Sequence, residues 1–398
     1  MRQNPTLDSE IFTRAVEDII TRDELKKLLE SKKKLRVKLG IDATASELHV
    51  GHAVSLWKVR ALQEHGHKAV IVLGDFTTQI GDPTGRSKSR PVLPKKTIEA
   101  NIKAIKKQVE QILLHGKAVY EVRRNSEWYG KMKAEDLLRL TSLITHARLI
   151  ERDMFQERIK KGEDISVPEF LYPVLQGYDS VAIKSNLTII GSDQLFNEHV
   201  GRKIQEKMRQ LPQAIVTIKL LPGLDGGEKM SKSLGNYIGL DDSPQDKFGK
   251  AMRTLDSLII PYLKVYTDVP MEKVQEIERK LAMMENPMEA KLFFAEALVS
   301  RYHGIQAARH ALEQFLKVFS KGEIPDAMPF VTMRHGVRDP VEVLLESGLA
   351  PSKSEARRLI KQGGVSIDNK IIIEGERGVV ISQGTLIRVG KRRFVRVR

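Results

Sequence analysis

Four groups of residues have types and spacing suited to binding an anion or a polar ligand. His49 and His52 stand three apart in His49-Val50-Gly51-His52, just after Gly40-Ile41-Asp42-Ala43-Thr44. Residues three apart share a helix face. The first turn of a helix also offers free N–H groups and a positive dipole end to an anion. Gly51 leaves room for a flat ring against the backbone; the competing reading makes both histidines surface or capping residues. The second group is Lys229-Met230-Ser231-Lys232-Ser233, flanked by Gly226, Gly227 and Gly235. It is either an anion-closing loop or a solvated basic turn. The third is Tyr172, Gln176 and Asp179, at i, i+4 and i+7 of one helix face. Three polar groups on an apolar face are costly unless partnered, so they form an internal network or read a polar ligand. The fourth is the loop Gly74–Arg86, where Asp82 precedes Pro83 and a basic cluster, Arg86, Lys88 and Arg90, follows. Without Gly-Lys-Ser/Thr it is not a P-loop.

The elements that hold these groups read as strands alternating with helices. The apolar run Leu35–Ile41 is a buried strand, and a helix opens at about His49, with Val50, Ala53, Val54 and Trp57 at helical spacing. A strand-turn-helix unit in a parallel sheet places its ligand beyond the strand's carboxyl end. Lys68–Leu73, Ala118–Arg123, Leu187–Ile190 and Ile215–Leu221 are further strands, and the alternation implies an α/β, doubly wound parallel sheet. Ile11–Ser31 reads as an amphipathic helix, and Leu137–Lys161 as helical. From about Asp246 to Phe319 only helices are expected. The domain expectation is a catalytic domain over 1–228, the lysine loop and an α-helical domain over 229–325, a linker over 326–338 and a small α+β module over 339–398. In that module a capped basic helix, Ser352–Gly364, precedes short strands at Val365–Ile367, Lys370–Ile373, Thr385–Val389 and Phe394–Val397.

The chain of 398 residues carries a formal net charge of +15. From Pro351 onward 12 basic residues face 4 acidic ones, a net +8 that exceeds half of the whole excess. Lys353, Arg357, Arg358, Lys361, Arg392 and Arg393 belong to this set, which suits phosphate contacts with RNA. Cysteine is absent, which excludes disulfides and zinc-thiolate sites and fits a cytoplasmic location. No apolar run is long enough to span a membrane, and Met1–Glu10 lacks a signal-peptide core.

Together, His-Val-Gly-His early and Lys-Met-Ser-Lys-Ser late resemble the two signatures of class I aminoacyl-tRNA synthetases. The Tyr172–Gln176–Asp179 face, the turn Gly191-Ser192-Asp193-Gln194 and the terminal basic module narrow this to the bacterial tyrosyl-tRNA synthetases, in the branch that keeps an intact lysine loop. The resemblance covers nearly the whole chain. It implies a Rossmann-like catalytic domain, ATP with Mg2+ and no tightly held protein metal. It also implies tyrosine and tRNA(Tyr) as substrates, and a homodimer. By the same resemblance Thr44, His49 and His52 contact phosphates, while Lys229, Lys232, Arg86 and Arg90 close on pyrophosphate. Gly40, Asp42, Gly51, Asp193 and Met230 complete the ATP site, with Asp193 on the ribose. Asp82, Tyr172 and Gln176 surround the substrate ammonium, Gln194 lies near its carboxyl, and Asp179 accepts from the phenol.

Three positions depart from the better-known branch. Lys38 replaces a tyrosine that partners the phenol, and whether Lys38 reaches the phenol is open. Ala43 replaces a proline, which suggests a looser turn. Ile190 replaces a glycine ahead of Ser192, which suggests an altered backbone approach to the nucleotide. Competing readings are the same reaction with tryptophan, an RNA-binding protein without activity, and a nucleotidyltransferase.

Overall fold

The computed structural model describes residues 4–31, 33–82, 93–232, 234–320, 330–368, 370–376, 378–390 and 393–398. Two compact units are present, Met1–Tyr302 and His303–Arg398. No helix among the described residues is long and apolar enough to cross a membrane.

The first unit is built on a six-stranded sheet of β1 (Val16–Ile20), β2 (Arg36–Asp42), β3 (Lys68–Gly74), β4 (Tyr120–Arg124), β5 (Leu187–Gly191) and β6 (Ala214–Ile218), in the order β1-β6-β5-β2-β3-β4. Five strands are parallel, and β1 closes one edge antiparallel to β6. Val37, Leu39, Val70, Val72, Leu187, Ile189, Ile215 and Val216 are all buried, as expected of a sheet covered on both faces. The chain winds from β2 through β3 to β4 on one side, and from β5 to β6 on the other. The order therefore reverses between β2 and β5, and a crevice opens outside their carboxyl ends.

Several elements differ from expectation. Ile11–Ser31 is not one helix: a short helix, Glu10–Thr13, precedes β1, and a second helix, Arg22–Glu30, follows it. Ala15 and Thr21 both hold positive φ, which breaks the helix on each side of Val16–Ile20. The free edge of β6 then captures the segment, an outcome fixed by a strand two hundred residues away. Leu137–Lys161 is three short helices, Ala134–Thr141, His146–Ile150 and Asp153–Lys160, interrupted where Ser142 and Thr145 favour helix ends over helix interiors.

The helices after the lysine loop are present as expected, and residues up to Tyr302 pack as part of the first unit. Leu240 N–H donates to the Leu48 carbonyl at 2.9 Å, and Val50 N–H to that of Ile238 at 3.0 Å. Trp57 meets the edge of Tyr302 at 6.0 Å between ring centroids.

In the second unit, β7 (Phe330–Val331) lies parallel to β13 (Arg393–Val397), and β8 (Gly336–Arg338) pairs with β11 (Val379–Ile381). Part of the segment expected as linker is therefore woven into the module's sheets. The remaining strands are β9 (Val365–Ile367), β10 (Lys370–Ile371) and β12 (Leu386–Val389). The basic helix spans Lys353–Lys361, with Ser352 Oγ accepting from Glu355 N–H. Its buried face, Ala356, Leu359 and Ile360, joins a core with Val343, Leu344, Ile367 and Val395.

Candidate active site

The crevice at the reversal point holds a cleft of about 370 Å³. β2 supplies its floor with Lys38, Gly40 and Asp42, and β5 supplies Ile190 and Gly191. Thr44, His49, Gly51, His52, Asp82, Tyr172, Gln176, Asp179, Asp193, Gln194, Lys229 and Met230 complete the wall. Residues from the whole length of the first unit thus meet at one place. Arg86, Arg90 and Arg392 lie outside the described residues.

His49 is the N-cap of the helix Val50–Glu64. Its Nδ1 accepts from Gly51 N–H at 3.2 Å, and His52 Nδ1 accepts from His49 N–H at 3.3 Å. Both Nδ1 atoms are thereby acceptors, so in the neutral rings the proton sits on Nε2. Partial loss of hydration at the cleft wall, reinforced by the nearby Lys229, holds both imidazoles below the ordinary histidine range, while the His52 side chain stays open at the cleft mouth. Capping and ligand binding are therefore compatible: the pair cap each other and keep neutral Nε2–H donors. Gly51 lines the cleft as expected, and it also makes room for the His49 ring, from which a Cβ there would stand 2.9 Å. At Gly40, nothing lies within 4 Å of where a Cβ would be, and this glycine opens directly into the cleft.

Ala43 also departs from expectation. Its N–H donates to Thr78 Oγ1 at 2.7 Å, and its carbonyl accepts from Asn101 Nδ2 at 2.8 Å. The turn is fixed by a donor that proline lacks. Ile190 is buried and paired in register with Thr217. The close approach belongs to Gly191, where a Cβ would lie 2.8 Å from Asp193 Oδ1.

The two loop lysines reach across the cleft mouth. Lys229 Nζ meets Asp193 Oδ2 and Lys232 Nζ meets Glu47 Oε1, each at 2.8 Å. Both lysine side chains are more than half exposed, and such ion pairs are worth only about 0–1 kcal/mol. An incoming polyphosphate would displace them at little cost. Met230 is buried beneath the loop.

Tyr172, Gln176 and Asp179 line the cleft from the helix Val167–Ala182. Tyr172 O–H donates to Asp42 Oδ2 at 2.9 Å, and Thr77 O–H to Asp42 Oδ1 at 2.7 Å. Asp42 fits there because Gly74 has no side chain: a Cβ would lie 2.1 Å from Asp42 Oδ1. Gln194 Nε2 donates to Asp82 Oδ2 at 2.7 Å. Asp179, 6% exposed, accepts from Trp128 Nε1 at 3.0 Å, Tyr129 O–H at 3.2 Å and Asn125 Nδ2 at 3.4 Å. Burial nevertheless pushes its carboxyl up to about 7, against the pull of Lys38 and these donors.

Lys38 does reach the cleft wall, but its ammonium is committed to Glu198 and Ser180. Glu198, Gly74, Thr77 and the Asn125–Tyr129 donors were not legible as site residues. Nothing local in the sequence ties Glu198 to Lys38, 160 positions earlier.

A family model described as tRNA synthetases class I (W and Y) matches residues 30–320. The chain belongs to this family. An S4 domain model matches residues 341–373 of the terminal module. The chain is 45% identical over 394 residues to a tyrosine–tRNA ligase of Thermotoga maritima, covering 99% of this chain and 98% of that one. It is 42% identical over 396 residues to a tyrosine–tRNA ligase of Dehalococcoides mccartyi, covering 99% of both. Among solved structures, a C-terminally truncated mitochondrial tyrosyl-tRNA synthetase of Aspergillus nidulans shares the fold, with a TM-score of 0.64 at 22% identity over 78% of this chain and 94% of that one. As a class I synthetase, the chain uses ATP to activate an amino acid.

In the S4 module the helix residues Lys353, Arg357 and Lys361 recur every fourth position and are exposed. Arg358 forms a bidentate pair with Glu355, and Arg393 donates to the Leu349 carbonyl at 2.7 Å. Exposed cations therefore recur at 353, 357 and 361, with Lys361 Nζ 3.7 Å from Glu374 Oε1, while Arg358 and Arg393 are partly committed to the protein.

Proposed function

We infer that the protein is a tyrosine–tRNA ligase. It joins tyrosine to ATP as tyrosyl-adenylate, releasing pyrophosphate, and then transfers tyrosine to the 3' end of its tRNA. The observation that carries the amino acid's identity is Asp179, a buried carboxylate at the cleft wall in a chain whose full-length relatives are tyrosine–tRNA ligases.

No general base is needed, because the attacking tyrosine carboxylate is already ionised. Catalysis then consists of holding two anions in line and stabilising charge on phosphate oxygens. In this reading the Nε2–H groups of His49 and His52, with Thr44, donate to the α- and β-phosphates. Lys229 leaves Asp193 and Lys232 leaves Glu47 as ATP enters, and both stay with the pyrophosphate as it departs. The release of Lys229 frees Asp193 for the ribose. Arg86 and Arg90 would act with the lysines. Gly40 admits the nucleotide along β2, beside Met230. Asp82, Tyr172 and Gln176 supply acceptors for the substrate ammonium, and Gln194 lies near its carboxyl.

Magnesium would arrive with ATP and offset phosphate charge. Asp42 and Asp193 are oxygen donors of the kind it takes, yet Asp42 already accepts from Thr77 and Tyr172, and Asp193 is assigned to the ribose. The ion would therefore be held chiefly by phosphate and water oxygens.

We assign tRNA backbone contacts to Lys353, Arg357 and Lys361, supported by their exposure and spacing, and extend the assignment to Arg358, Arg392 and Arg393 from the sequence expectation. The functional division follows the sequence expectation: activation by residues 1–228, the lysine loop and helices of 229–325 toward the anticodon side, and RNA binding by the terminal module. A homodimer is proposed too; Leu138, Ile159 and Val167, on three helices, are large apolar side chains left exposed, of the kind a subunit contact would cover. The enzyme would work in the cytoplasm, where amino acid, ATP and tRNA meet. Charging of purified tRNA(Tyr) with labelled tyrosine tests the assignment. Acid-precipitable tyrosine on that tRNA supports it, and charging with tryptophan instead would overturn it.

A further inference from the structure

Beneath the amino-acid end of the cleft lies an ion pair that the reaction as described does not use. Lys38 is 2% exposed and Glu198 0%. Lys38 Nζ donates to Glu198 Oε2 at 2.8 Å and to Ser180 Oγ at 2.6 Å. Glu198 also accepts from Gln213 Nε2 at 2.6 Å and, through Oε1, from Gln176 Nε2 at 2.9 Å. Onward, Gln176 Oε1 accepts from Asn197 Nδ2 at 2.8 Å, and the same Asn197 amide reaches Gln194 Oε1 at 3.0 Å.

A buried ion pair is a poor stabiliser, because desolvation offsets most of its attraction. Its effect on Gln176 is more specific. A carboxylate only accepts hydrogen bonds, so Glu198 draws the NH2 end of the Gln176 amide toward itself. The carbonyl end is left with Asn197 and has a second lone pair available. An ammonium group can be met by that carbonyl and not by the NH2 end.

We propose that Lys38 and Glu198 are positioning residues for amino-acid recognition: Glu198 locks the orientation of the Gln176 amide, and Lys38 holds Glu198 in place with an opposite charge inside the protein. The proposal builds on the reading of Gln176 as a contact for the substrate ammonium. It explains why a lysine is accommodated at position 38 without partnering the phenol. Lys38 acts sideways, through Glu198, on the opposite end of the same substrate.

The test uses the full-length enzyme, with KM for tyrosine and KM for ATP measured by pyrophosphate exchange and Tm measured in parallel. Glu198→Gln keeps the side chain's shape but lets the Gln176 amide turn over. KM for tyrosine should rise about tenfold or more, the equivalent of losing one hydrogen bond to a charged group, while KM for ATP stays within about twofold. The double variant Lys38→Met/Glu198→Gln removes the stranded charge. It should recover most of any lost Tm and still show the raised tyrosine KM. If the double variant regains both Tm and the wild-type tyrosine KM, the pair is only structural and the proposal is overturned. If the double variant does not fold, Glu198→Gln alone decides: a wild-type tyrosine KM in it refutes the proposal. Gln176→Ala separates the two levels of the argument. An unchanged tyrosine KM in that variant overturns the reading of Gln176 itself, and the positioning role with it.

Discussion

Replacing Asp179 by asparagine keeps the shape of the pocket and removes only its charge. The Trp128 and Tyr129 donors still find an oxygen, but the new NH2 group faces the Asn125 amide, at the place where the wild-type carboxylate accepts at 3.4 Å. A hydrogen bond to a charged group contributes about 1.5–3 kcal/mol, or about 10–150-fold in kcat/KM. Tyrosine-dependent pyrophosphate exchange should fall by that factor, and exchange with phenylalanine, which lacks the hydroxyl, should not. Acidity should produce the same effect in the wild type. With its pKa at about 7, Asp179 is about one-tenth ionised at pH 6 and about nine-tenths at pH 8. KM for tyrosine should therefore fall up to about tenfold across that interval, and the asparagine variant should show a flat profile. Stability moves the other way. The folded carboxyl holds its proton more tightly than the unfolded one, whose ordinary value is 3.8. Its contribution is therefore fully present below about pH 4 and is lost as pH climbs through about 7. At pH 8 the asparagine variant should melt above the wild type, a gap that closes toward pH 5. A variant with undiminished tyrosine kcat/KM would refute the reasoning, and so would a wild-type KM independent of pH.

Four further outcomes follow from the geometry. Ala43→Pro removes the donor to Thr78 and should cost about 1–3 kcal/mol; an unchanged Tm would contradict the account of that turn. Gly74→Ala drives a methyl into the Asp42 carboxylate, so tyrosine activation should collapse, and normal exchange rates would show that Asp42 need not sit there. Lys229→Ala and Lys232→Ala should slow pyrophosphate exchange about tenfold or more, while Tm moves little because the pairs they lose are exposed; a large Tm drop with normal turnover would reverse the assignment. Lys353→Glu/Arg357→Glu should leave tyrosine activation intact, weaken charging and flatten its salt dependence, whereas unchanged charging would remove the helix from the RNA interface.

Much of this was legible from sequence because the signals were local. His49 with Gly51, the lysine loop and the Tyr172–Gln176–Asp179 face each announce themselves within a dozen residues. The strands β2, β3 and β5 are apolar runs that only a doubly covered sheet can bury. What could not be read depends on distant partners. β1 looks helical by charge pattern and becomes a strand because β6 offers an edge. Ala43 looks like a weakened proline until Thr78 is seen to accept its N–H. Lys38 stands out inside the apolar run of β2, but its partner Glu198 lies 160 positions away, on a helix that the close packing of Gly177 against Gly201 brings against the helix of Ser180 and Gln176.

The central claim is that this cleft activates tyrosine and no other amino acid. Amino-acid-dependent ATP–pyrophosphate exchange, run separately with all twenty acids on the full-length protein, tests it most directly. The account predicts exchange with tyrosine alone. Exchange driven by tryptophan or phenylalanine at a comparable rate would contradict the role given to Asp179, and no exchange with any acid would contradict the enzyme itself.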